Sequence, residues 1–242
     1  MAKGIAFRNR GHEVSRLEAF SDVIFGFAVS LLVVSLEAPK SYEQLMEMMH
    51  GLLPFAFCFF LFIDMWLEHH HFFRRYALHD NLTIFINTVL LFVILFYVYP
   101  LKFMFTLMAE GLTGGRTSIP AGSGVVLFTI YGIGFTSVFW LLAALYWRAW
   151  QQRDELALNE VERVDTLERI FDNLCTGVFG LISIAIARTT GSGWAGLIYF
   201  FLAVPKTLVP TIMGRKRRKA EARMADATAA PALATEAAAQ ES

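Results

Sequence analysis

RLEAFSDVIFGFAVSLLVVSLE, residues 16–37, is an apolar run of membrane-spanning length with a serine and an aspartate set inside its first turns. About 20 residues, rising about 1.5 Å each, cross the hydrocarbon core of a bilayer, and residues 17–36 match that length. The run is predicted to be the first transmembrane helix and the functional one. A carboxylate inside a span is costly unless it faces protein, water or a partner, so Asp22 has to point at something. On a helical wheel at about 100° per residue, Phe20, Phe27 and Val34 share a stripe, with Val23 and Ser30 slightly displaced. Asp22 lies about 140° from Phe27 on the same wheel. The stripe meets a symmetric neighbour or a pore, with ordinary helix packing as the plainer alternative. The Asp22 side locks into the rest of the subunit.

Working outward from that helix, the chain of 242 residues is 56% hydrophobic and 14% aromatic, outside the usual range of soluble domains. It reads as an all-α integral membrane protein. Formal net charge is zero, so overall charge points to no nucleic-acid or other partner. Cys58 and Cys175 sit in apolar segments at a spacing that fits neither a zinc set nor a disulfide framework, and both are expected to be buried free thiols. The basic start MAKGIAFRNRGHE is followed by a run too long for a signal-peptide core and without a small-residue cleavage site, so an uncleaved first helix is expected.

A polar break at residues 38–40 ends the first span. The second begins amphipathically near Tyr42, is apolar from 48 to 67, and stops at Glu68, His69, His70 and His71. The third covers about 82–107, with Pro100 kinking its far half, and residues 108–123 read as a glycine-rich loop. The fourth covers 124–146, closed by Trp147 and Trp150. A charged, helix-favouring extension at 151–168 precedes the fifth, 170–187. The sixth covers 194–213. Beyond it the basic cluster RKRRK, residues 215–219, suits anionic headgroups, and the Ala-rich tail is expected to be disordered or weakly helical.

Three parts follow: an N-terminus at 1–16, a bundle of six transmembrane helices at 17–213 and a basic, Ala-rich tail at 214–242. With both termini in the cytoplasm, sixteen of the 21 lysines and arginines fall on that side. Four, Lys40, Lys102, Arg116 and Arg188, fall on the other, and Lys206 lies inside the sixth span. That orientation brings Asp22, His69, Asp80 and Asn87 to one depth. With Ser21, and Arg16 at the edge, they form a predicted polar network. It serves either as a structural lock or as a proton relay or ion site. The three adjacent histidines point about 100° apart and have no second histidine helix to complete a metal centre. Lys206 either marks function or snorkels to the headgroups, and Asp172 shares the ambiguity. Nucleophile elbows, phosphate loops and cofactor motifs are missing from the sequence, which argues against an enzyme.

Arg16, Phe20, Ser21 and Asp22 spell Arg-x-x-x-Phe-Ser-Asp, and Trp66, His69, Phe73, Asp80 and Asn87 follow at matching offsets. In these residues, spread over about the first 90, the chain resembles prokaryotic members of the lysosomal potassium channel family, transmembrane protein 175. The resemblance implies a homotetrameric cation channel of the inner or plasma membrane, permeable to potassium and other monovalent cations. Its pore is lined by the first helix of each subunit and has no selectivity-filter loop. The implied constriction falls on Phe27, where the family has an aliphatic residue. The hydroxyl ring falls on Ser30, where threonine is common, with transient K⁺ nearby, and a further apolar ring falls on Val34. Pro100 comes slightly later than the family pattern. Hydrophobic gating by dewetting, modest K⁺ over Na⁺ preference and a cation-gathering Glu37 at the outer mouth are the expected mechanism. A proton-coupled solute transporter using Asp22, His69 and Asp80 is the alternative. A lipid- or partner-recruiting membrane protein is a third reading.

Overall fold

The computed structural model describes residues 7–34, 39–50, 52–113, 123–190 and 195–240, and among these every regular element is helical. In chain order they are α1 (Arg16–Val34), α2 (Tyr42–His50), α3 (Leu52–Tyr76), α4 (Asn81–Thr113), α5 (Ser123–Gln151) and α6 (Glu160–Thr190). A 3₁₀ segment (Leu197–Leu202) then leads into α7 (Ala203–Gln240). Three of them are long and apolar enough to cross a membrane by length and composition: Asn81–Leu101, Ser123–Gln151 and Glu160–Thr190.

Polar residues at the helix starts explain where several elements begin. Ser15 accepts the Glu18 N–H at 3.1 Å, which caps α1. Ser41 does the same for Gln44 at α2, at 3.2 Å. Asn159 and Glu162 exchange bonds, the Glu162 N–H to the Asn159 side chain at 2.8 Å and the Asn159 N–H to the Glu162 carboxylate at 3.1 Å. This reciprocal box starts α6. At the end of α3, Ala77 takes φ 50° while its N–H reaches the Phe73 carbonyl at 2.9 Å, a left-handed cap usually given to glycine.

The elements run past the expected spans in two places. The second span is covered by α2 and α3, with residue 51 outside the described residues. The third continues to Thr113, into the stretch expected as loop, and the fifth begins at Glu160, so its charged approach is part of one helix with the apolar span. The Ala-rich tail, expected to be disordered or weakly helical, is helical as far as Gln240. Cys175 is exposed while Cys58 is buried. An apolar segment in a membrane helix does not imply a protein-facing side chain, because lipid is as apolar as a core.

The α5 and α6 hairpin carries the tightest packing. A methyl group at Gly180 would lie 2.5 Å from the Gly132 carbonyl and 2.4 Å from the Thr136 hydroxyl, so the backbones cross where only glycine fits. Thr136 donates to the Gly177 carbonyl at 2.9 Å across the same crossing. Aromatic rings then bind α3 to α5, with Phe72 edge-on to Tyr146 at 5.4 Å and Tyr76 edge-on to it at 5.9 Å.

Candidate functional site: the two faces of α1

Helix α1 packs against α3 and α4, and its inward face carries Phe25, Ala28 and Leu32, all buried. Ser21 belongs to that face and is fully buried. From it a short chain of hydrogen bonds runs across three helices. The His69 Nε2 lies 2.8 Å from Asn87 Oδ1, the Asn87 amide N–H reaches Ser21 Oγ at 3.0 Å, and the Ser21 hydroxyl donates to the Leu17 carbonyl at 2.8 Å. With Asn87 Oδ1 as acceptor the imidazole donates from Nε2, so each group hands one hydrogen on and the series ends on backbone. Asn87 and His69 are both 0% exposed, and the His69 ring packs on Phe25 and Phe73.

Asp22 is half-buried and takes a separate partner, the Trp66 indole N–H at 2.8 Å. Two bonds from α1, through adjacent residues, thus grip α3 and α4 at one level. Asp80 stands apart from this pair of contacts. It precedes α4, accepts the Thr83 hydroxyl at 2.5 Å and pairs with Arg148 of α5 at 3.1 Å. The expected network is therefore three contacts, Ser21–Asn87–His69, Asp22–Trp66 and Asp80–Arg148, rather than one cluster. Arg16 is exposed and takes no side-chain bond among the described residues. The other histidines diverge as their spacing requires: His70 stacks on Trp66 at 5.4 Å and lies 3.5 Å from Glu18, and His71 turns elsewhere.

The opposite face of α1 is open. Phe20 is 60% exposed, Val23 69% and Phe27 57%. A methyl group at Gly26 would touch nothing within 4 Å. Ser30 is exposed too, and its hydroxyl donates to the Gly26 carbonyl at 2.8 Å, which leaves the oxygen lone pairs turned to the open side. The Val34 side chain, Glu37 and the glycine-rich stretch 114–122 lie outside the described residues.

The two intramembrane charges singled out from the sequence sit on the far side of α3. Lys206 of α7 pairs with Asp64 at 2.5 Å, so it turns into the bundle instead of snorkelling outward. Arg169 pairs with Glu68 at 2.5 Å, and Tyr146 donates to the same carboxylate at 3.3 Å. These pairs border a polar cavity of about 240 Å³ that Asp172 also lines, itself buried with one carboxylate oxygen unpartnered. None of these ion pairs was visible from spacing, since each joins helices far apart in the chain.

The family model described as endosomal/lysosomal potassium channel TMEM175 matches residues 16–97, the segment that holds α1 and its partners in α3 and α4. A protein of Marivirga tractuosa named potassium channel is 36% identical over 229 residues, spanning 88% of this chain and 93% of that protein. A potassium channel of Chamaesiphon minutus is 27% identical over 198 residues, spanning 78% and 94%. Among solved structures, a variant of the potassium channel MtTMEM175 in complex with a nanobody–MBP fusion superposes with TM-score 0.72 at 34% identity, over 90% of this chain and all of that one. A TMEM175 homolog from Chamaesiphon minutus superposes with TM-score 0.57 at 21% identity, a likeness of fold.

Proposed function

Because the chain belongs to the TMEM175 family of potassium channels, we propose that four copies assemble around an axis lined by α1 and conduct potassium and other monovalent cations with modest K⁺ over Na⁺ preference. The chain is a multi-pass membrane protein and not an enzyme. In this reading six spans place both ends in the cytoplasm, and the protein resides in the inner or plasma membrane.

One observation carries the reading. On α1 the stripe of Phe20, Val23, Phe27 and Ser30 has no cover from the other described residues, while the reverse face is bolted down through Ser21 and Asp22. A stripe packed within the subunit would be covered by its own chain, and the TMEM175 family match supports a pore over a lipid-facing stripe. Four Phe27 rings form an apolar constriction that gates by dewetting, and Val34 continues the same face by register. Four Ser30 oxygens replace a few of the ion's waters, too few for the discrimination of a carbonyl filter. Phe27 and Ser30 are one turn apart, so the ion sheds water beside the barrier that it crosses.

Planar-bilayer recording of the purified protein in asymmetric K⁺ and Na⁺ tests the proposal. Unitary current steps are expected, with a reversal potential displaced modestly toward that of K⁺ and a larger unitary conductance in Phe27→Ala. Saturable, pH-driven uptake without steps would refute the channel, and unchanged conductance and selectivity in Phe27→Ala would remove Phe27 from the pore.

A further inference from the structure

We propose that a cavity between α6 and the basic stretch of α7 seats the headgroup of an anionic phospholipid. The cavity measures about 380 Å³, within the range of small-ligand sites. Its floor is apolar, formed by Trp150, Val164 and Leu167. Arg163, Lys216, Lys219 and Arg223 stand around it, against a single lining carboxylate, Glu160.

Among the described residues the charges are only partly matched. Arg163 is committed to Asp154 at 2.6 Å, but Lys216, Lys219 and Arg223 form no ion pair among the described residues. Their neighbour Arg217 does find partners, Asp165 at 2.9 Å and Glu221 at 3.5 Å. Acidic groups therefore pair with α7 on one side, while the side that faces the cavity has Glu160 alone among the described residues. Residues 216, 219 and 223 follow the i, i+3, i+7 spacing of a single helix face.

Depth selects a lipid over a free anion. The apolar part of α6 begins at Ile170, so Leu167 and Val164 lie about 4.5 and 9 Å beyond it along the helix. The headgroup layer on each side of a bilayer is about 5–8 Å deep, so Leu167 falls within it and Val164 at its outer edge. A phosphate among the three unmatched cations would then have its glycerol and upper acyl carbons against Trp150 and Leu167. The neutral headgroups lack the net charge that those cations require. Only the choice of leaflet rests on the orientation proposed above.

The test is binding by the purified full-length protein in neutral detergent, read as lipid retained in native mass spectra and as the unfolding midpoint. Phosphatidylglycerol is expected to be retained and to raise the midpoint saturably, whereas phosphatidylcholine and inorganic phosphate do neither. Replacing Lys216, Lys219 and Arg223 with Gln is expected to weaken phosphatidylglycerol binding on the order of a hundredfold, about fivefold per charge. Replacing Arg215 and Arg218, which lie outside the cavity, is expected to leave it within a few-fold. The single change Lys219→Glu at an exposed position repeats the loss if the triple variant folds poorly. Equal losses from the two sets of changes would mean a diffuse basic field and no seat. Stabilisation by inorganic phosphate alone would overturn the lipid assignment. Neither readout involves ion flux, so failure of the channel reading would leave this result intact.

Discussion

Replacing Asn87 with Ala is the sharpest probe of how α1 is held. The amide is fully buried and makes both cross-helix bonds of its chain, to His69 at 2.8 Å and Ser21 at 3.0 Å. Ser21 retains its bond to the Leu17 carbonyl. His69 has no such reserve, because its Nδ1 is already buried without a partner. The two lost bonds are worth about 1 kcal/mol each, and a buried imidazole N–H left unsatisfied adds about 1–3 kcal/mol. A loss of about 3–5 kcal/mol follows, a large fraction of the roughly 5–15 kcal/mol that stabilises an ordinary domain. Taking both polar partners away reverses part of it: His69→Phe combined with Asn87→Leu should be less damaging than the sum of the single changes by about 1–3 kcal/mol. Unfolding of the purified protein in mixed micelles by SDS measures all four corners of this cycle. An Asn87→Ala protein within about 0.5 kcal/mol of wild type would refute the lock, and so would strict additivity in the cycle.

Three further changes probe other contacts. Trp66→Phe keeps the ring but removes the donor to Asp22 and should cost about 1.5–3 kcal/mol in the same assay, with K⁺ over Na⁺ preference unchanged in bilayer recordings; altered selectivity at normal stability would move Asp22 from anchor to ion path. Gly180→Leu drives a side chain into the Gly132 carbonyl and the Thr136 hydroxyl and should destabilise by about 1–3 kcal/mol or more, seen as a lower unfolding midpoint; a stable variant would mean that α5 and α6 separate easily. Ala77→Gly relieves a left-handed backbone at φ 50° and should stabilise by about 1 kcal/mol, read as a raised midpoint.

What periodicity can read and what it cannot is clear from α1 and its surroundings. The wheel separates Asp22 from Phe27 by about 140°, and in the fold Asp22 meets Trp66 while Phe27 is 57% exposed. Side-chain direction on one helix is a local property, fixed by 3.6 residues per turn. The partners of Asp80, Glu68 and Lys206 are of another kind. Asp80 pairs with Arg148, Glu68 with Arg169 and Asp64 with Lys206, and these choices depend on which helices are neighbours, which hydropathy does not encode. The orientation of Cys175 was hidden for a related reason, since lipid-facing and core-facing residues have the same composition in a membrane helix. At Glu160 the charged, helix-favouring extension and the apolar span form one helix, because an α-helix does not stop at the membrane surface when a capping box lies farther out.

The chain just ahead of α1 is stapled down as firmly as α1 itself. Arg8 and Arg10 reach the buried Glu162 carboxylate at 3.1 and 2.9 Å, and the Gly11 N–H meets the Arg74 carbonyl at 3.1 Å. With the Ser21 and Asp22 bonds one or two turns later, the polar ties of α1 among the described residues gather at one end, while Phe25, Ala28 and Leu32 hold the rest by apolar packing. Phe27 lies about 9 Å along the helix from Ser21, and Val34 about 20 Å. A tilt of about 5° about those ties displaces Val34 by about 1.7 Å but Phe27 by only about 0.8 Å. In the proposed ring of four such helices, the same small swing would open the far end twice as much as the level of Phe27, so the polar ties would set where that assembly widens and where it stays narrow.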